Sequence, residues 1–233
     1  CNLGSIDVGK FTVKKGKKMD VDWGRLGAVI RDTVQFLDNV FASATDDCFD
    51  MDGTDAHIEG NLFLNVRQDA PRSSTSNAVT TGADGSNTSE LTVVRNIFYN
   101  LDHALLLKDS GSAVFHNNTV VRIADNPNDT APGALITFYE ARSGVTSGKL
   151  ADLDGNIIWD VTAGRLANDF TNPPAQLRVS RSILPGPLPA GASGSGNSLN
   201  DPRFVNYPAP LTTENIRAAL AHVEKDADKA RKH

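Results

Sequence analysis

The chain has 233 residues, with 23 Lys and Arg against 28 Asp and Glu, a net charge of −5, 39% apolar residues and 6% aromatic residues. An acidic balance whose only basic run is Lys14-Lys15-Gly16-Lys17-Lys18 argues against a binder of nucleic-acid backbones, which needs clustered cations. No apolar run approaches the ~20 residues of a membrane span, and two cysteines, Cys1 and Cys48, are too few for a disulfide framework or an unaided structural zinc site.

Residues 1–41 open with two short extended pieces, Ser5-Ile6-Asp7-Val8 and Lys10-Phe11-Thr12-Val13, and the basic run after them reads as a solvated turn. Asp22 then reads as an N-cap. Trp23, Leu26, Ile30, Val34, Leu37 and Phe41 fall at helical spacing, which predicts an amphipathic helix over 22–41.

A different grammar fills residues 42–210, most clearly 43–206. Five stretches centre on a polar residue: Asn61, Asn96, Asn118, Asn156 and Ser182. Three positions before each centre stand Ile58, Val93, Phe115, Leu153 and Val179; two positions after stand Phe63, Phe98, Val120, Ile158 and Leu184. A short strand, a polar corner and a second short strand, recurring along the chain, predict stacked coils. Inward side chains alternate along each strand, and the corner Asn suits a left-handed backbone. Stacking would set Asn61, Asn96, Asn118 and Asn156 in file as a hydrogen-bonded ladder; an antiparallel sandwich would not demand one corner residue each time. The centres lie 35, 22, 38 and 26 residues apart. The short gaps fit one coil, and the long ones leave room for loops at 67–89 and 125–133, while 185–196 is too rich in Pro and Gly for a regular coil. Residues 211–233 then predict a helix capped by Thr213, with Ile216, Leu220, Val223 and Ala227 on one stripe.

The densest chemistry lies in Asp46, Asp47, Asp50, Asp52 and Asp55. Alternate residues of a strand share a face, so Asp50 and Asp52 are expected side by side. Three readings stay open: solvated capping aspartates, a Ca²⁺ site built from Asp46, Asp47, Asp50 and Asp52, or paired carboxylates, Asp47 and Asp50 among them, cleaving a glycosidic bond. Lys108 and Arg142 are candidate bases for polysaccharide elimination. His57 and His116 read as outward, His103 stands alone, and Trp23 and Trp159 read as core or coil residues before sugar-stacking ones.

The repeat over 43–206, with Asp46-Asp47-Cys48-Phe49-Asp50-Met51-Asp52-Gly53 and the closing Asn200-Asp201-Pro202-Arg203-Phe204, resembles right-handed parallel β-helix proteins of the pectin-lyase-like superfamily. That resemblance implies a mainly β solenoid, extracellular or cell-surface, associated with a polysaccharide or cell-surface glycan. It implies either a module without a complete active site or a lyase or glycosidase using the Asp46–Asp55 cluster. Asp46-Asp47-Cys48 resembles the paired aspartates of β-helix polygalacturonases, whose His-containing and Arg-Lys motifs have no match downstream. In contrast, Cys1-Asn2-Leu3-Gly4-Ser5-Ile6, Asp22-Trp23, Arg25-Leu26 and Phe36-Leu37-Asp38-Asn39-Val40 resemble part of the catalytic subunit of adenosylcobalamin-dependent ribonucleotide reductase, a cytoplasmic enzyme. By that resemblance Cys1 inherits the role of a redox cysteine. The thiyl-radical cysteine, the paired redox cysteine and the cobalamin site of that family have no counterpart, so the chain is expected to be composite and to bind no cobalamin. No signal peptide is present in a sequence that begins at Cys1. A solenoid with open ends is expected to associate end to end.

Overall fold

In the computed structural model the described residues are 33–139, 144–168 and 175–205, with the backbone of two short antiparallel strands, β1 (Asp7–Val8) and β2 (Phe11–Thr12), where the sequence predicts extended pieces. The chain divides into units Cys1–Pro202 and Arg203–His233, and the strands belong to the first.

Each coil contributes three strands to three faces. The first coil is β3 (Val34–Leu37), β4 (Val40–Ala42) and β5 (Phe49–Asp52). The second is β6 (Ala56–Glu59), β7 (Leu62–Val66) and β8 (Asn77–Asp84), with β9 (Asn87–Thr88) folded back on β8 as a short hairpin. The third is β10 (Glu90–Val94), β11 (Ile97–Leu101) and β12 (His103–Leu106). The fourth is β13 (Ser112–His116), β14 (Thr119–Ile123) and β15 (Ala134–Thr137). The fifth is β16 (Leu150–Asp154), β17 (Ile157–Val161) and β18 (Ala167–Asn168), and β19 (Gln176–Ser180) comes after it.

Stacking the coils makes three sheets. Sheet 1 has the order β19-β16-β13-β10-β6-β3, sheet 2 the order β17-β14-β11-β7-β4, and sheet 3 the order β18-β15-β12-β8-β5. Every pairing within these three orders is parallel and joins consecutive coils. The described chain is therefore a mainly β, parallel stack of the β-helix-like class.

Register explains why these residues pack. Phe41, Phe63, Phe98, Val120 and Ile158 share one position of sheet 2 and point inward. Phe63 and Phe98 stack with ring centroids 4.7 Å apart and planes 3° from parallel. Phe36, Ile58, Val93, Phe115, Leu153 and Val179 do the same in sheet 1. Similar side chains above one another fill a narrow core without gaps.

The corners hold the coils in register. Asn61 Oδ1 accepts the Asn39 backbone N–H at 2.9 Å, Asn96 Oδ1 that of Asn61 at 2.8 Å, Asn118 Oδ1 that of Asn96 at 2.8 Å, and Asn156 Oδ1 that of Asn118 at 2.8 Å. The Asn96 amide donates to the Ile58 carbonyl and the Asn118 amide to the Val93 carbonyl, both at 2.9 Å, so each of these side chains bonds back to the coil before its own. Ser182 Oγ then accepts from Asn156 N–H at 3.0 Å, and Asn197 Oδ1 from Ser182 N–H at 3.1 Å. The ladder therefore begins at Asn39 and ends at Asn197, one post beyond the sequence repeat at each end.

Four expectations change. The helix over 22–41 is not continued by its last third: Val34–Leu37 and Val40–Ala42 are strands. Val34, Phe36 and Phe41 are buried while Leu37 and Val40 are exposed, an alternation that a period of 3.6 misreads. Residues 22–32 lie outside the described residues, as do 211–233. The segment 67–89 is not all loop, because β8 supplies the third face of its coil. Residues 185–196 are not outside the stack, since Ser193 bridges Arg178, and just beyond them Ser198 bridges Ile183. Finally, the left-handed residue is not the ladder Asn but its predecessor: Asp38 (φ 55°), Gly60 (φ 70°), Arg95 (φ 55°), Asn117 (φ 55°), Gly155 (φ 65°) and Arg181 (φ 47°).

Outside the core, the three faces differ in character. Sheet 1 carries ion pairs, Glu59 with Arg95 and Asp154 with Arg181. Sheet 2 shows two rows, Val40, Leu62, Ile97, Thr119 and Ile157 in one, and Ala42, Leu64, Tyr99, Val121 and Trp159 in the other. Sheet 3 carries the aspartates.

We predict that Asn118→Ala lowers stability by about 2–4 kcal/mol, because it strands buried backbone groups on the neighbouring coil. Asn118→Ser should lose less, since a serine hydroxyl fills the same post at Ser182. Urea unfolding monitored by circular dichroism checks both.

Candidate functional site on the outer face of sheet 3

Phe49 and Met51 are fully buried, so the intervening Asp50 and the next residue, Asp52, face outward from β5, as alternation along a strand requires. In the next coil Asp50 is registered on Thr80 and Asp52 on Gly82. Gly82 is the residue this packing needs: a Cβ there would fall on the Asp52 carboxylate. One coil further on, Lys108 reaches the same patch. Its backbone is fixed by Thr81, whose Oγ1 accepts the Lys108 N–H at 2.8 Å and donates to the Lys108 carbonyl at 3.0 Å. Lys108 Nζ lies 3.9 Å from Asp52 Oδ1, with the lysine 8% exposed overall. In the sequence this lysine is one of two undistinguished basic candidates; the other, Arg142, lies outside the described residues.

The aspartate cluster does not act as one group. Asp46 is exposed and faces Arg72 Nη1 at 3.3 Å. Asp47 Oδ1 accepts the backbone N–H of Asn77 at 3.1 Å and its side-chain amide at 2.8 Å, which ties the first coil to the second. Asp55 Oδ1 accepts the Glu90 N–H at 2.8 Å at a corner. Of the five, Asp50 and Asp52 stand together on the outer face. Among the described residues no three His, Cys, Asp or Glu side chains gather closely enough to hold a metal ion.

Electrostatics separate the pair from its neighbours. Burial pushes Asp50 up to about 6; the charge of Lys108 pulls it down, and the adjoining Asp52 charge raises it further. Asp47 is pushed up to about 7, chiefly by burial, against the opposing hydrogen bond from Asn77. Burial also lifts the Cys48 thiol to about 12, so this free, buried cysteine is inert at neutral pH. Cys1 lies outside the described residues, and Phe36–Val40, part of the reductase resemblance, lies in the first coil.

Beside the patch is a buried polar clasp with no repeat signal in the sequence. His103 Nε2 lies 3.6 Å from Asp129 Oδ1, with both side chains fully buried, and Asp129 Oδ2 accepts the Ser76 N–H at 3.0 Å. Burial raises Asp129, but His103 and the Ala131 and Ser76 amides outweigh it, holding the carboxyl below its usual value. Asp102 accepts from Gln68 N–H at 2.8 Å and from Asn126 at 2.7 Å, and faces Arg67 at 3.3 Å. These contacts pin the 124–133 connection against the edge of sheet 3. Of the other histidines, His57 pairs with Glu59 at 2.6 Å and His116 is half-buried on sheet 1. Trp159 lies in the second outer row of sheet 2, on a different face from the aspartates.

No family model matches the chain, and neither a curated protein nor a solved structure matches it. Among the described residues no helix is long and apolar enough to cross a membrane.

The raised acid and the buried thiol each give a testable outcome. Because Asp47 is raised, the folded chain holds its proton more tightly than the unfolded chain. That stabilisation is complete below the ordinary value of 3.8 and is lost as pH rises through about 7. The urea midpoint should therefore fall between pH 5 and pH 8 in the wild type and fall less in Asp47→Asn, which keeps the acceptor oxygen. In a Cys1→Ser background, Cys48 should resist a disulfide reagent at neutral pH and react only once urea unfolds the chain.

Proposed function

We propose that residues 34–198 form a right-handed parallel β-helix of the pectin-lyase-like kind, working outside the cell or on its surface, which binds a glycan across the outer face of sheet 3. The observation that carries this reading is the convergence of Asp50, Asp52 and Lys108, from the first and third coils, on one outward patch. Carboxylates accept hydrogen bonds from sugar hydroxyls and an ammonium donates them. A rigid stack spaces such groups at the regular interval that a repeating polymer presents. The partly neutralised patch suits a neutral glycan better than a polyanion, which the carboxylates would repel.

Binding of an oligosaccharide array should be lost by more than tenfold in Asp50→Ala and Asp52→Ala, with the circular dichroism spectrum unchanged. Capture of the same glycans by both variants at wild-type strength would refute the assignment.

A second reading is favoured by one property, the raised Asp50 carboxyl. An acid raised to about 6 is matched to protonating a glycosidic oxygen, with a second carboxyl, Asp52, beside it on the same face. Under that reading Asp50→Asn abolishes release of reducing ends and Asp52→Asn slows it severely. Binding without release in the wild type leaves the module, not the hydrolase.

A further inference from the structure

An Asp-Gly step is the least shielded place in a main chain. Glycine has no side chain to screen its backbone nitrogen, and that nitrogen can close a five-membered ring on the preceding carboxyl. The sequence holds three such steps, Asp52-Gly53, Asp84-Gly85 and Asp154-Gly155, and the fold treats them differently. Gly53 N–H donates to the Gly82 carbonyl and Gly155 N–H to the Ser180 carbonyl, each at 3.2 Å. Their carboxylates are held too: Asp52 packs on Gly82 and lies 3.9 Å from Lys108 Nζ, and Asp154 pairs with Arg181. Asp84-Gly85 has neither restraint. It begins the turn of the β8–β9 hairpin, beyond Gly82, where pairing with β5 stops. Every residue from 83 to 88 is exposed. Among the described residues no group accepts the Gly85 N–H and none pairs with the Asp84 carboxylate. Gly85 has φ +61° and open space where a Cβ would stand. A two-stranded hairpin of two residue pairs holds its own shape weakly.

We propose that Asp84-Gly85 is a modification site, where aspartate isomerises spontaneously to isoaspartate while the other two steps stay intact. The Gly85 nitrogen gives up its proton and attacks Asp84 Cγ. The new C–N bond closes a succinimide as the carboxyl C–OH bond breaks, and water leaves. Water then adds back to either ring carbonyl. Breaking the new N–Cγ bond restores aspartate; breaking the original peptide bond routes the main chain through Cγ and frees the α-carboxyl. No oxidant or reductant is needed, and mass and net charge are unchanged. The product carries one more methylene in the main chain of a two-residue turn, whose length sets the pairing of its strands. The change borders the carboxylate patch: a Cβ on Gly53 would fall 2.7 Å from Asp84 N, so the end of β5 abuts the lengthened turn. The freed α-carboxyl is the substrate class of an S-adenosylmethionine-dependent isoaspartyl methyltransferase. The chemistry is the same whatever the patch binds.

Prolonged incubation of the full chain at neutral pH, native and in urea, tests the assignment. Peptide mapping with electron-transfer fragmentation locates isoaspartate, and methyl acceptance from S-adenosylmethionine counts it. In the native chain isoaspartate is expected at residue 84 at least tenfold faster than at 52 or 154, whose backbone must first open. In urea the three rates should converge. Asp84→Glu, whose longer side chain cannot close the five-membered ring, should remove most of the native methyl acceptance with the circular dichroism spectrum unchanged. Native isoaspartate at 52 or 154 as fast as at 84, or none at 84 while urea produces it, overturns the proposal. So does methyl acceptance that Asp84→Glu retains. A preference for residue 84 that persists in urea also overturns it, because neighbouring sequence and not the fold would then select the site.

Discussion

One hydrogen bond, repeated, sets the geometry of everything else: the side-chain oxygen of a corner residue accepting the backbone N–H of the corner one coil earlier. A parallel strand pair has no intrinsic register, and a slip by one residue would turn every inward phenylalanine outward. The corner amide removes that freedom. Asn96, for example, is bonded to Asn61, Asn118 and the Ile58 carbonyl, a set that no shifted register can satisfy. With corners aligned, Phe63 must lie over Phe98 and Ile58 over Val93, and the core is a consequence of the ladder. The cost is a left-handed residue before each post. Glycine takes it at residues 60 and 155, but Arg95 and Arg181 take it with a side-chain penalty. Their guanidinium groups reach Glu59 and Asp154, which offsets part of that cost.

The same constraint assembles the outward chemistry. Asp52 and Lys108 are far apart in sequence, yet strict stacking leaves only the strand of the second coil between them, where Gly82 makes room. A solenoid concentrates distant residues in this way without a pocket: the outward position of each strand lies at a fixed pitch above the last. It also segregates faces. The apolar rows lie on sheet 2 and the Asp50–Asp52 pair on sheet 3, because each sheet inherits one set of positions from every coil. A surface built by repetition is uniform along the stack and distinct around it.

Much of this was legible because the constraint leaves a mark at fixed positions. Asn61, Asn96, Asn118 and Asn156, with apolar residues three before and two after, are enough to give coils, corners and inward faces. Asn39 escaped because Trp23, Leu26 and Ile30 extend a helical stripe through Val34 and Leu37, and two periods coincide there over few residues. The third face was hidden for a different reason. Strand β8 begins 16 residues after its corner and β12 only 7 after its own, so no fixed offset exists to read. The aspartate pair was legible from alternation alone, Asp50 and Asp52 being two apart. Lys108 was not, since choosing it requires knowing that Thr81 and Ser147 hold its backbone one strand away from β5, across β8. The His103–Asp129 clasp joins residues from two connections of unrelated length, and pairs of that kind leave no periodic trace.

The most direct measurement of the account is the set of couplings transmitted across the ladder hydrogen bonds, in a deuterated, isotope-labelled sample studied by NMR. The account predicts a coupling from the backbone nitrogen of Asn61 to the side-chain carbonyl carbon of Asn96, from Asn96 to Asn118, and from Asn118 to Asn156, with all three amides slow to exchange. Rapid exchange at these amides, or nuclear Overhauser contacts placing β10 antiparallel to β6 or β13, would contradict it.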